Sequence, residues 1–231
     1  MIYNKITDIF FDLDHTLWDF DANSKSAFEK LLKKNQIPLN INDFCDVYKP
    51  INHAYWDDYS RGLKTKTEVK YGRLKDTFDA LHIETNDNFI ENFASDYLQF
   101  LKEESSLIEG SIEILEYLKD KYRLHILTNG FMEIQEGKIR NAGLTDYFDQ
   151  IISSEEIGKQ KPHPEVFSYA LQKAATFPHK SMMIGDNFKS DILGARNAGM
   201  QVIYFDRYQT QPVDTKIIPQ VNNLLQIKDL L

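Results

Sequence analysis

Four polar clusters hold residue types able to bind a cation, carry a proton and hold an anion. They are Asp12-Leu13-Asp14-His15-Thr16, Thr128-Asn129-Gly130, Lys161-Pro162, and Gly185-Asp186 followed by Asp191. Carboxylates are hard oxygen donors of the kind magnesium takes, one or two at a time with waters and substrate oxygens completing the shell, and Asp12 and Asp186 are the candidate ligands. Asp12 and Asp14 are also neighbouring carboxyls, whose pKa values can be driven apart to give them separate roles. Like-charge repulsion raises the pKa of one carboxyl, and a cation lowers that of the carboxyl it touches. Lys161 adds fixed positive charge. Such a set suits attack on an anionic group, where positive charge must be supplied before two anions can meet.

Taken singly, each cluster has an ordinary structural reading. An Asp-rich loop can be a capped turn, Asn-Gly supplies turn geometry, Lys-Pro says little, and Gly185-Asp186-Asn187 can cap the next helix. Their positions on the elements give them weight. Apart from Asp8, the residues from Thr7 to Phe11 are β-branched or aromatic, and the run stops at Asp12, as a buried strand running into a loop does. Strand-like runs recur at Tyr122–Leu127, 149–152, Met182–Ile184 and Val202–Phe205, alternating with helical patterns at 111–120, 131–142, 164–175 and 188–198. Strand–helix alternation with short connections predicts a parallel sheet covered on both faces. Open sheets of that kind bind ligands at the carboxyl ends of their strands, where the four clusters fall.

One long region interrupts the alternation. Between Asn23 and Glu104 no strand pattern stands out, and apolar residues recur at helical spacing over 23–36, 42–61, 65–82 and 86–103. Pro38, Asn42, Gly62 and Asn86-Asp87 supply the breaks and caps. The expectation is an α/β fold, a doubly wound parallel sheet with an inserted helical bundle. The core takes residues 1–17 and 105–231 and the inserted cap 18–104.

Composition narrows the partners. A chain of 231 residues with 42% hydrophobic and 27% charged residues can bury a packed core. Its net charge of -8 offers no global attraction for nucleic acid or an anionic membrane surface. No stretch approaches the roughly 20 apolar residues of a membrane span. Ile9-Phe10-Phe11 sits among Asp8, Asp12 and Asp14, unlike the core of a signal peptide. The lone cysteine, Cys45, has no internal disulfide partner. A cytoplasmic protein is expected, and no protein partner is inferable.

The clusters together resemble the signature of the haloacid dehalogenase-like hydrolases. Asp12-Leu13-Asp14-His15-Thr16 matches the family's D-x-D-x-T, Thr128 its Ser/Thr, Lys161-Pro162 its Lys motif, and Gly185-Asp186 through Asp191 its G-D-x-x-x-x-D. The resemblance implies a Rossmann-like core with a cap inserted after the first motif, Mg2+ as cofactor, and Asp12 as a nucleophile that forms an aspartyl-phosphate. It implies that the backbone carbonyl of Asp14 is a further metal ligand, with Asp191 a ligand or a group that orients the others. The Asp14 carboxyl would protonate the leaving alkoxide and then accept a proton from water. Thr128, Asn129, Lys161 and the backbone amides after Asp14, including that of His15, would hold the phosphoryl oxygens. A dehalogenase expels halide without a proton and lacks an aspartate at the Asp14 position, so dehalogenation is disfavoured. A phosphomutase, which uses the same pair, stays open.

Leu17-Trp18-Asp19-Phe20 and the helical cap resemble the YjjG-like pyrimidine nucleotidase branch, which implies a small phosphorylated metabolite, a pyrimidine nucleoside 5'-monophosphate, as substrate. A sugar phosphate or phosphoglycolate is the alternative, and a non-catalytic module that binds magnesium and phosphate is a reading of another class. Tyr48, Tyr55 and Tyr59 share a helical face with Trp56 beside it; periodicity favours packing over stacking on a base. Arg73, Lys64 and Lys70 read as a solvated helix face. Trp18 and Phe20 could line the substrate's way in or pack. The histidines His53, His82, His125, His163 and His179 lack metal-ligand spacing.

Overall fold

A computed structural model describes residues 6–210 and 213–231. Among these, six strands form one parallel sheet, β1 (Asp8–Phe11), β2 (Arg123–Thr128), β3 (Gln150–Ser153), β4 (Ser181–Gly185), β5 (Gln201–Phe205) and β6 (Gln220–Val221). Their order across the sheet is β3-β2-β1-β4-β5-β6. The chain leaves β1, builds outward on one side through β2 and β3, then returns to β4 on the other side. Strand order therefore reverses at β1, and the crevice at its carboxyl end is the natural ligand position of such a sheet. Register is fixed there by Phe11 opposite Ile126 on one side and Ile184 on the other.

The sheet is buried on both faces, as parallel sheets must be. Phe10, Leu127, Ile152, Met183 and Val202 form one face and pack with Val166, Phe167, Ala170 and Ile192 in a continuous core. Their neighbours Ile9, Phe11, Ile126, Ile184 and Ile203 alternate to the other face and are buried there. The crossovers include α5 to α8. Here α5 is Ser111–Lys119, α6 Met132–Asn141, α7 Pro164–Lys173 and α8 Gly194–Asn197, the last preceded by a π-helical stretch Phe188–Leu193. The short β6 and the 3₁₀ turns at Leu224–Asp229 carry no sequence pattern strong enough to announce them.

By internal contacts the chain divides into two compact units, one running up to Phe20 and from Ser106 onward, the other Asp21–Ser105. The second unit is built from α1 (Phe20–Lys34), α2 (Ile41–Ser60), α3 (Lys66–Ala80) and α4 (Asp87–Glu103). Asn40 rather than Asn42 caps α2, Thr65 and Glu68 form a capping box at the start of α3, and Asn86 caps α4. The core of this unit is aromatic: Phe28 stacks on Tyr97 at 4.2 Å, with Phe44, Tyr48, Phe78 and Phe93 around it. Tyr48 and Tyr59 are buried in it, whereas Tyr55 lies over Gly72 and donates to Asp76 at 2.8 Å.

Arg73 departs from the sequence reading. It is buried, on the α3 face that also carries Val69, Thr77 and Phe78. Its Nη1 donates to Asn52 at 2.7 Å, and its guanidinium lies 5.4 Å from the Tyr97 ring. Charge alone marked it as surface; the helical phase puts it inside, where aromatic faces can hold a cation.

Among the described residues no helix is long and apolar enough to cross a membrane.

Candidate active site

Asp12 is the first residue beyond β1, and its N–H still donates to Ile184 O at 2.9 Å, so the strand ladder holds it in place. The backbone then turns sharply. Leu13 O accepts from Thr16, Leu17 and Trp18 N–H groups, and the chain pairs back on itself between Asp14 and Trp18. This tight turn sends the Thr16 hydroxyl to Asp186 Oδ1 at 3.2 Å, joining the ends of β1 and β4. It also commits the His15 N–H, which donates to Trp18 O at 2.9 Å. That amide, read from the sequence as a phosphate contact, instead closes the turn.

Lys161 reaches into the same crevice and is almost wholly buried. Its Nζ lies 2.7 Å from Asp12 Oδ1, 2.8 Å from Asp191 Oδ1 and 2.6 Å from Leu127 O. An ammonium has three N–H donors, and these contacts occupy all of them. Burial alone would push the ammonium down, but Asp12 and Asp191 outweigh it and hold Lys161 above its usual value. Lys161 is positioned by Asn129, whose side chain accepts from the Lys161 N–H at 2.7 Å and donates to its carbonyl at 3.0 Å. The Asn129 amide thus serves Lys161 directly.

Asp191 comes from the π-helical stretch after β4. Its Oδ2 accepts from Asn187 N–H at 3.0 Å while Oδ1 faces Lys161. The sequence predicted a regular helix over 188–198; the wider turn brings Asp191 inward, and widened turns of this kind recur at functional sites. Gly185 makes room, since a Cβ there would collide with the Asp191 carboxylate.

The Asp14 side chain turns toward α6. Its Oδ1 accepts from Lys138 Nζ at 2.6 Å and its Oδ2 from Gln135 Nε2 at 2.9 Å. The same Gln135 nitrogen donates to Thr128 Oγ1 at 2.8 Å, and Gly130 N–H donates to that oxygen at 2.9 Å. Neither Gln135 nor Lys138 stood out in sequence. Their spacing of three residues on α6 was the available signal, but it is shared by any helix face. Gly130 was read as turn-forming; its role is space, because a Cβ would strike the Gln135 side chain.

The donor set fits a divalent cation. Asp12, Asp186 and Asp191 each offer a carboxylate oxygen, all within 4.8 Å of one another. Against these three stands the buried ammonium of Lys161, leaving an excess of negative charge that a divalent cation would balance. The strain shows in their protonation. Burial pushes the Asp12 carboxyl well above the usual carboxylate range, opposed by Lys161 and reinforced by Asp191 and Asp186. Burial and the adjacent Asp191 push Asp186 up to about 8.

Residues 9–205 match the family model described as haloacid dehalogenase-like hydrolase. The chain is 32% identical to the pyrimidine 5'-nucleotidase YjjG of Escherichia coli over 229 residues, 96% of each chain. It is 33% identical to the pyrimidine 5'-nucleotidase PynA of Streptococcus pneumoniae over 227 residues, covering 96% of this chain and 94% of PynA. The crystal structure of the putative HAD-hydrolase YfnB of Bacillus subtilis, bound to magnesium, superposes with a TM-score of 0.88 at 29% identity, covering 99% of both chains. A family match across most of the chain, with relatives of this identity and coverage, establishes that the protein belongs to the haloacid dehalogenase-like hydrolases.

Proposed function

We propose that the protein is a magnesium-dependent phosphomonoester hydrolase that works through an aspartyl-phosphate on Asp12, with a pyrimidine nucleoside 5'-monophosphate as substrate. The observation that carries the reaction is the cluster of buried Asp12, Asp191 and Lys161 with the partly buried Asp186 at the strand-order reversal. The substrate class rests on the two pyrimidine 5'-nucleotidases similar over nearly the whole chain.

Asp12, Asp186 and Asp191 would hold the metal, with the Asp14 carbonyl as a further ligand. When bound, magnesium supplies positive charge that eases the approach of an anionic carboxylate to a phosphate dianion.

The chain's own residues do the rest. An Asp12 carboxylate oxygen attacks phosphorus as the bond from phosphorus to the ester oxygen breaks, and the departing alkoxide takes a proton from Asp14. Water then attacks the phosphorus, giving its proton to Asp14 and releasing Asp12 with inorganic phosphate. Lys161 fixes the Asp12 rotamer and offsets its charge. Thr128 Oγ1 already accepts two hydrogen bonds, from Gly130 and Gln135, so its own O–H proton is the donor left for a phosphoryl oxygen.

The test is phosphate release from nucleotides, sugar phosphates and phosphoglycolate with magnesium or EDTA. Magnesium-dependent release favouring UMP, dUMP or dTMP, abolished in Asp12→Asn, is expected. Preference for a sugar phosphate would remove the substrate assignment alone. Full activity in Asp12→Asn would remove the mechanism.

A further inference from the structure

We propose that Gln135 and Lys138 are positioning residues for proton transfer, holding both carboxyl oxygens of Asp14 from one face of α6 and directing the Thr128 hydroxyl. The inference rests on the reading of Asp14 as the proton donor to the leaving group. Three observations carry it.

Lys138 is buried, its side chain only 3% exposed, and its ammonium lies 2.6 Å from Asp14 Oδ1 and 4.2 Å from the centre of the Trp18 ring. Lysine is rarely buried without a partner because losing the ammonium's hydration is costly. Here that charge is directed onto the carboxyl that is proposed to move protons. Gln135 is likewise buried and spends both hydrogens of its amide, one on Asp14 Oδ2 and one on Thr128 Oγ1. That sharing ties the orientation of the proton carrier to that of the phosphoryl donor. Finally, Gly130 leaves the space in which the Gln135 amide lies, so the loop after β2 is shaped around this contact.

Two donors on a carboxyl group complement the carboxylate that remains after it gives up its proton. In the first step the proton leaves Asp14 for the ester oxygen as the bond from that oxygen to phosphorus breaks. In the second, the held carboxylate collects the proton of the attacking water. Positioning of this sort acts through geometry, and small misplacements of an acid or base cost large factors in rate.

The experiment compares kcat/KM, which covers steps through departure of the leaving group, for two esters. UMP expels an alkoxide that needs a proton, whereas p-nitrophenyl phosphate expels a phenolate that leaves unaided. In Lys138→Met and in Gln135→Leu the ratio of UMP to aryl-ester kcat/KM should fall on the order of 100-fold, and Lys138→Arg should recover most of the loss. Gln135→Leu gives the same readout at an uncharged residue should Lys138→Met fail to fold. A ratio unchanged in the α6 variants but collapsed in Asp14→Asn overturns the positioning role and leaves Asp14 as the acid. A ratio unchanged in Asp14→Asn overturns the reading of Asp14, and this inference with it.

Discussion

At the scale of single residues the site is a problem of charge in a confined space. Lys161 places its ammonium between Asp12 and Asp191, and removing a partner from a buried ion pair leaves charge that neither solvent nor protein satisfies. Lys161→Met should therefore lower the metal-free stability at neutral pH by about 3–5 kcal/mol. Urea denaturation in EDTA measures it, and a loss under about 1 kcal/mol would mean that the pair is not held as described. Part of the deficit should return with magnesium, which supplies positive charge to the same carboxylates.

At the scale of elements, two contacts govern how strands end. At the carboxyl edge, Gly185 lets the π-helical stretch bring Asp191 against β4. Gly185→Ala should cost about 1–3 kcal/mol through overpacking and should weaken magnesium binding as Asp191 is displaced, which titration calorimetry would read. At the amino edge, Asp8 Oδ1 lies 3.0 Å from His125 Nε2 and 2.7 Å from Arg123 Nη2, and its Oδ2 accepts from Thr176 at 2.7 Å.

Burial would raise the Asp8 carboxyl, but the Thr7, His125 and Thr176 hydrogen bonds and Arg123 hold it below its usual 3.8. Burial likewise holds His125 below its usual 6.5, against the pull of Asp8. Both groups bind fewer protons folded than unfolded, so stability is full above about pH 6.5 and falls as the pH drops. His125 acts first, and Asp8 follows below its usual 3.8. The slope for one group is at most about 1.4 kcal/mol per pH unit. His125→Gln, which keeps a donor and does not titrate, should flatten the stability profile between about pH 7 and 5.

At the scale of the whole molecule, cation binding and folding are linked. Magnesium at about 100 times its Kd should stabilise the native state by about 2.7 kcal/mol, visible as a rise in Tm that EDTA reverses. Because the metal-free Asp186 carboxyl is pushed up to about 8, the cation competes there with a proton. The magnesium-induced shift should accordingly grow as pH rises from about 6 to 8. A shift that is constant or shrinks over that range would show that the carboxylates do not bind the ion. The net charge of -8 calls for such local compensation, since the molecule as a whole repels anions.

The sequence by itself determined the parallel alternation, the helical insertion and the residues at the strand ends, because strand and helix periodicity and turn chemistry are local properties of the chain. It marked Asp12, Lys161, Asp186 and Asp191 as candidates for one site, and their side chains lie close together near the ends of β1 and β4. Tertiary structure alone decided the partners. Asn129 serves the Lys161 backbone, the His15 amide closes a turn, Arg73 lies inside the helical unit, and Gln135 and Lys138 reach Asp14 across more than a hundred residues. Those outcomes depend on which side chain fills a donor or acceptor first when distant segments are packed together. No spacing along the chain encodes that competition.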